Sequence, residues 1–139
     1  MTFTKRFVHT RPDMQRPTRK PTDAELAILH VLWTHGPGTV RRIAEIMGRE
    51  TAYTTVLKLL QIMTEKRLVR RDESARTHVY AAACSQEQTE RQLVTDLMNR
   101  VFGGSAARLV LQALAARKAS PEELAEIRKL IDRQRGGGR

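Results

Sequence analysis

The stretch "ETAYTTVLKLLQIMTEKRLVRR", residues 50–71, gathers hydrogen-bonding and cationic side chains at helical spacing. Set out at about 100° per residue, Val56, Leu59, Leu60 and Met63 share one face, with Tyr53 at its upper edge. Thr51, Thr54, Thr55, Lys58 and Gln61 fall on the other. A threonine hydroxyl bonds donors or acceptors and its methyl can touch a thymine methyl, while a lysine reaches guanine O6/N7 or a phosphate. The polar face is not acidic, and it is concentrated in the first two turns, which a recognition helix carries into a major groove. A helix N-terminus also favours phosphate oxygens. Arg70 and Arg71 follow directly, with Arg76 and His78 a few residues on, and a basic hairpin beside such a helix would neutralise backbone phosphates. A blander reading makes Thr51 only an N-cap, the other threonines solvated and Lys58 a surface lysine. It accounts for any one of these residues but poorly for the set.

The elements that must position this set can be read from capping residues and apolar spacing. In "PTDAELAILHVLW", Thr22 and Glu25 form a capping box, which predicts a first helix over Asp23–Thr34. "HGPG" breaks it. Thr39 caps a second helix with Val40, Ile43, Ala44 and Met47 on its apolar stripe; Arg41, Arg42 and Glu45 lie off the stripe, and Gly48 ends the helix. The third helix is expected from about Ala52 to Glu65, capped by Thr51, with strands at Leu68–Arg71 and Thr77–Ala81. Three short helices and a hairpin are the order of a winged helix-turn-helix domain, placed at residues 21–82. The expected DNA-contacting residues are Arg41, Arg42, Thr51, Tyr53, Thr54, Thr55, Lys58, Arg70, Arg71, Arg76 and His78.

Residues 83–135 read as helix throughout, so the fold class is mainly α with one small β-hairpin. Ser85 and Gln88 form a second capping box ahead of Leu93, Val94, Leu97, Met98 and Val101. Gly103 and Gly104 stop that helix, and Ser105 opens a short one through Leu109, Val110, Ala113 and Leu114. "SPEE" at residues 120–123 starts the last, whose Leu124, Ile127 and Ile131 line one face. Three short amphipathic helices cannot bury their own stripes. Leu93, Leu97, Val101, Leu109, Leu114, Leu124, Ile127 and Ile131 are therefore expected to close against a second copy, forming a homodimer. The alternative is packing against the winged helix of the same chain. "GGGR", residues 136–139, reads as a flexible tail.

The net charge of the 139 residues is +10. Residues 1–22 carry six bases against one acid, and residues 39–81 nine bases against five acids, so the excess sits on an N-terminal arm and around the opening stretch. A polyanionic partner, double-stranded DNA, is the economical reading; charge that only maintains solubility is the alternative. Residues 1–20 look like a disordered basic arm, and Met14 offers a second start that would remove half of it. No run nears the roughly 20 apolar residues of a membrane span, and no apolar h-region follows the basic N-terminus. The expected location is the cytoplasm, without direct membrane binding.

"TDAELAILHVLW", "AYTTVLKLLQIMTEKRLVRR" with "THVYAA", and "FGGSAARLVLQALA" resemble the BlaI/MecI/CopY (penicillinase repressor) family of winged-helix transcriptional regulators, over about Thr22 to Ile131. The resemblance implies a homodimeric repressor of palindromic operators, with the C-terminal helices as the dimer interface. In its β-lactam branch a membrane-bound sensor metalloprotease triggers cleavage of the repressor and release of DNA. That branch is cut at an Asn-Phe pair; here Gln112-Ala113 stands at the corresponding place, as a departure from the pattern. The copper branch carries a C-terminal cysteine cluster, whereas this chain ends in "RQRGGGR" and has one thiol, Cys84.

Cys84 reads as a small buried residue rather than a redox switch, and a single cysteine excludes an internal disulfide. His9, His30, His35 and His78 lack metal-ligand spacing, and no nucleophile triad, P-loop or dinucleotide-binding pattern occurs, so neither an enzyme nor a cofactor is expected. Two rivals to a sequence-specific repressor remain. One is a winged-helix protein-interaction or architectural DNA-binding module, which in its protein-docking form needs exposed apolar residues on the outer face of the third helix. The other is a ligand-sensing repressor with a pocket between its halves.

Overall fold

A computed structural model describes residues 20–48 and 51–137. The basic arm expected at residues 1–20 lies, apart from Lys20, outside the described residues. The elements run α1 (Asp23–His35), α2 (Val40–Met47), α3 (Tyr53–Glu65), β1 (Val69–Asp72), β2 (Val79–Ala82), α4 (Gln86–Val101), α5 (Ala106–Ala116) and α6 (Pro121–Gly137). This is a three-helix winged helix-turn-helix unit with one hairpin, followed by a helical C-terminal region. The chain divides into two compact units, one ending at Leu93 and one starting at Val94, so the division falls within α4.

Caps written in the sequence set most of the helix ends. Thr22 Oγ1 accepts from Glu25 N–H (3.2 Å) while Glu25 Oε1 accepts from Thr22 N–H (2.9 Å), closing the box that starts α1. Thr39 Oγ1 accepts from Arg42 N–H at α2, and Gly48, at φ +99°, ends that helix in a conformation a side chain rarely adopts. Reciprocal boxes also form between Ser85 and Gln88 and between Ser120 and Glu123, and Ser105 caps α5.

Two boundaries differ from the sequence expectation for clear reasons. Thr51 does not cap α3: its N–H donates to Gly48 C=O (3.2 Å), which holds it in the preceding turn, and Ala52 occupies the N-cap without a side-chain bond. At the other end, α6 continues through Gly137, so two glycines of the expected tail are helical. The strands start one and two residues later than expected, the first because α3 closes through a Schellman turn. There Arg67 sits at φ +65°, its N–H donates to Thr64 C=O, and Leu68 N–H reaches back to Met63 C=O. Leu68 is thereby committed to the helix end and buried.

The core of the first unit comprises Ile28, Leu29 and Leu32 of α1, Val40 and Ile43 of α2, Val56, Leu60 and Met63 of α3, and Leu68, Val69 and Tyr80 around the hairpin. Fully burying each such side chain contributes about 1.5–3 kcal/mol. The hairpin pairs Val69 with Ala82 and Arg71 with Tyr80. It is not free to swing, because Gly38 and Tyr80 exchange backbone hydrogen bonds of 3.0 and 2.8 Å. The residues that break α1 thus supply a third, one-residue rung to the wing. Asp72, buried at the hairpin turn, accepts from Ser74 N–H (2.9 Å), an Asx turn. Trp33 Nε1–H donates to Cys84 C=O (2.9 Å), tying α1 to the end of the hairpin, and the Trp33 ring meets His30 edge-to-face at 5.3 Å.

Candidate nucleic-acid interface

α3 keeps its two faces apart. Val56, Leu60 and Met63 are 0% exposed, while Thr54, Thr55, Lys58 and Gln61 are exposed along the opposite side. Leu59 and Leu57 are half-buried at the edges. Tyr53, placed by sequence at the edge of the inner face, is 49% exposed in the first turn. Ile62, nearer the C-terminal end, is the other large apolar residue of α3 open to solvent.

Beside the first turns of α3 lies a half-open groove of about 360 Å³. Arg41 enters it from the start of α2, Tyr53 from α3, and Arg76 and His78 from the return of the hairpin. Val40, Leu57 and Tyr80 form its apolar walls, with Thr77 at the rim, and no acidic residue lines it. Four residues expected to meet DNA, drawn from three elements, are thus brought together. The Gly38–Tyr80 exchange ties the hairpin to the turn that leads into α2, and nothing in the local sequence announces it.

The remaining expected contacts are dispersed. Arg42 is exposed on α2, its N–H committed to Thr39, and Thr51 is half-buried in the turn before α3. Arg70 and Arg71 are neighbours on β1, and adjacent strand positions face opposite sides of a sheet, so they diverge. Arg71 stands opposite Tyr80 and its Nη2 pairs with Glu73 Oε2 at 2.6 Å. Arg70 lies near enough to Cys84 for its positive charge to act on the thiol. Partial burial is the larger influence there and pushes the Cys84 thiol above its ordinary value, with Arg70 opposing it; the residue is half-buried, not fully enclosed as the sequence suggested.

In the second unit, Leu97, Val101, Leu114, Leu124 and Ile131 are exposed in the single chain, and Leu93 (at the end of the first unit), Leu109 and Ile127 are half-buried. Val94, Val110, Leu111 and Leu130 are exposed as well; of these Leu111 and Leu130 are not on the stripes that the sequence spacing marked. Two apolar grooves of about 490 and 510 Å³ run along α5 and α6, the first floored by Leu114 and Ile127, the second also by Leu124 and Ile131. Gln112 and Ala113 lie inside α5, both exposed and both helical. Among the described residues no three His, Cys, Asp or Glu side chains are grouped to hold a metal ion, and no helix is long and apolar enough to cross a membrane.

Comparison with known proteins agrees with this architecture. The family model described as penicillinase repressor matches residues 21–133. The transcriptional regulator BlaI of Mycobacterium tuberculosis, from strains CDC 1551 / Oshkosh and ATCC 25618 / H37Rv, is 29% identical over 119 residues, covering 84% of this chain and 86% of the relative. These relatives are regulators of transcription rather than enzymes. A match over nearly all of the described chain, on a winged helix followed by a helical region, means that the chain belongs to the penicillinase repressor family of transcriptional regulators.

Proposed function

We propose that the protein is a repressor that binds palindromic operator DNA as a homodimer. The observation that carries this reading is the polar, non-acidic outer face of α3, exposed at Thr54, Thr55 and Lys58, beside a basic groove shared with α2 and the hairpin. The first turns of α3 enter the major groove, where the threonines and Lys58 meet base edges. Arg41, Arg42, Arg71 and Arg76 supply the salt-sensitive contacts to phosphate. The exposed leucines, valines and isoleucines of α4, α5 and α6 support the homodimer, since a monomer rarely leaves so many large apolar side chains in water. A two-fold dimer places two α3 helices in grooves about one turn apart.

An upstream signal releases the DNA. Where that signal is proteolysis triggered by a membrane-bound sensor metalloprotease, cutting at Gln112-Ala113 requires α5 to unfold locally, because a protease reads an extended chain and these residues are helical. Opening α5 would withdraw Leu109 and Leu114 from the dimer face together.

The test is selection of the purified full chain on random duplex DNA at low and near-physiological salt. An enriched inverted repeat at both salts is expected. Retention at low salt alone, with no motif, would replace the operator reading by an architectural, backbone-binding one.

A further inference from the structure

We propose that the groove between α2, the first turns of α3 and the hairpin is a seat for one sugar–phosphate unit, which the DNA backbone and free phosphate monoesters occupy in competition. This deepens the DNA-binding reading given above and rests on it for the backbone half. Three features define the ligand. The groove is lined by Arg41, Arg76, His78 and the phenol of Tyr53, with no carboxylate among its walls, so it selects an anion that accepts several hydrogen bonds. Val40 and Leu57 give it an apolar wall, which suits the carbon face of a deoxyribose and not a fully hydrated inorganic anion. Its volume of about 360 Å³ falls at the low end of the range of small-molecule sites.

The position agrees with the chemistry. A helix inserted in a major groove and a hairpin lying beside it must straddle the strand that borders that groove. The seam between α3 and the hairpin is therefore where one backbone strand passes, and the groove lies in that seam. One wall is fixed before binding: Tyr80 is 2% exposed and is held by two backbone hydrogen bonds to Gly38. That wall of the seat therefore needs no ordering on binding, and the cost of filling it falls on the exposed side chains of Arg76 and His78. Arg76 and His78 lie in the exposed turn side of the hairpin, which makes them replaceable without disturbing the core.

The experiment has two arms, each with the full chain and the variants Arg76→Gln and His78→Gln. In the first, an operator duplex is scanned with single methylphosphonate linkages, which remove the charge of one phosphate. One linkage per half-site is expected to lose about tenfold in affinity, as a charge-assisted contact implies, and the variants should shrink that loss to about twofold at that linkage alone. Specific binding with no linkage whose loss the variants abolish would overturn the backbone seat while leaving the operator reading intact. In the second arm, deoxyribose 5-phosphate is titrated and followed by backbone amide NMR shifts. Saturable shifts at Arg41, Tyr53, Arg76 and His78, lost in both variants, support the seat even if no operator is found. An absence of saturable shifts there overturns the free-ligand half. A chain that binds no sequence specifically but still saturates with the sugar phosphate would sink the operator reading and keep the seat.

Discussion

Lys66 Nζ lies 2.6 Å from Glu25 Oε1 and also donates to Lys20 C=O at 3.0 Å, so the C-cap residue of α3 is anchored on the glutamate that closes the capping box of α1. Glu25 is 2% exposed and serves both ends at once, with the same Oε1 accepting from Thr22 N–H. The orientation of α3, and hence of its outer face, is set by this pair as well as by apolar packing.

Replacing Glu25 by Ala should therefore cost more than an ordinary cap. Loss of one partner of a buried ion pair is worth about 3–5 kcal/mol, whereas Thr22→Ala, which breaks only half of the capping box, should cost about 1 kcal/mol. Urea unfolding of the two variants checks the ordering; equal midpoints would mean that Lys66 is satisfied without Glu25.

On DNA, Lys58→Ala should weaken binding to the selected operator roughly tenfold, with little change on unrelated duplexes, since it removes a base-edge contact. Arg76→Ala should weaken binding to all duplexes and flatten the slope of log K against log salt by about 1. Arg71 is held by Glu73 at 2.6 Å, so Glu73→Gln frees a cation and removes an anion. That variant should bind every duplex more tightly, by roughly a few-fold, with a steeper salt slope.

For the dimer face, Leu97→Asp and Ile131→Asp place a carboxylate on side chains that are 41% and 51% exposed in the single chain. Static light scattering should give a mass halved relative to the parent, near the 15.8 kDa of one chain. Because the two half-sites are then read independently, operator affinity should fall by about a hundredfold or more. A parent protein that is already monomeric at micromolar concentration would refute the proposed homodimer.

Cys84 should resist alkylation. Burial first, and against it the charge of Arg70, leave its ionisation above the ordinary thiol value of 9.0. Iodoacetamide should react more slowly than with a small free thiol at neutral pH, with a rate profile displaced to the alkaline side. The same displacement fixes the sign of the stability effect. A group whose folded value is raised stabilises the fold below its unfolded value, so this contribution fades as pH climbs from about 9 through the folded value. Cys84→Ser should reduce that alkaline loss, read as a flatter dependence of the unfolding midpoint on pH.

The helices of this fold are legible because their ends are written locally. The boxes at Thr22 and Glu25, Ser85 and Gln88, and Ser120 and Glu123 each need only a three-residue spacing, and all of them form. Thr51 misleads for the same local reason: threonine is a good cap, but the turn after Gly48 claims its N–H and Ala52 takes the position. What the sequence hides is pairing across distance. The Lys66–Glu25 contact spans 41 residues, and the Gly38–Tyr80 rung joins a helix-breaking turn to the second strand. The groove follows the same rule. Arg41, Tyr53, Arg76 and His78 are each visible as basic or hydrogen-bonding residues, but their convergence depends on how the hairpin docks. Arg70 and Arg71 show the converse, since adjacency in a strand separates side chains that sequence reads as a unit.

The separation of faces on α3 also bears on how such a protein changes over time. Thr54, Thr55, Lys58 and Gln61 are exposed while Val56, Leu60 and Met63 are fully enclosed, and exposed substitutions of this kind usually alter stability by no more than about 0.5 kcal/mol. A duplicated copy of the gene could therefore accumulate replacements at these four positions without passing through an unfolded intermediate. Lineages could drift to new target sites one residue at a time, and a library randomised at these positions alone would retain the scaffold in nearly every member.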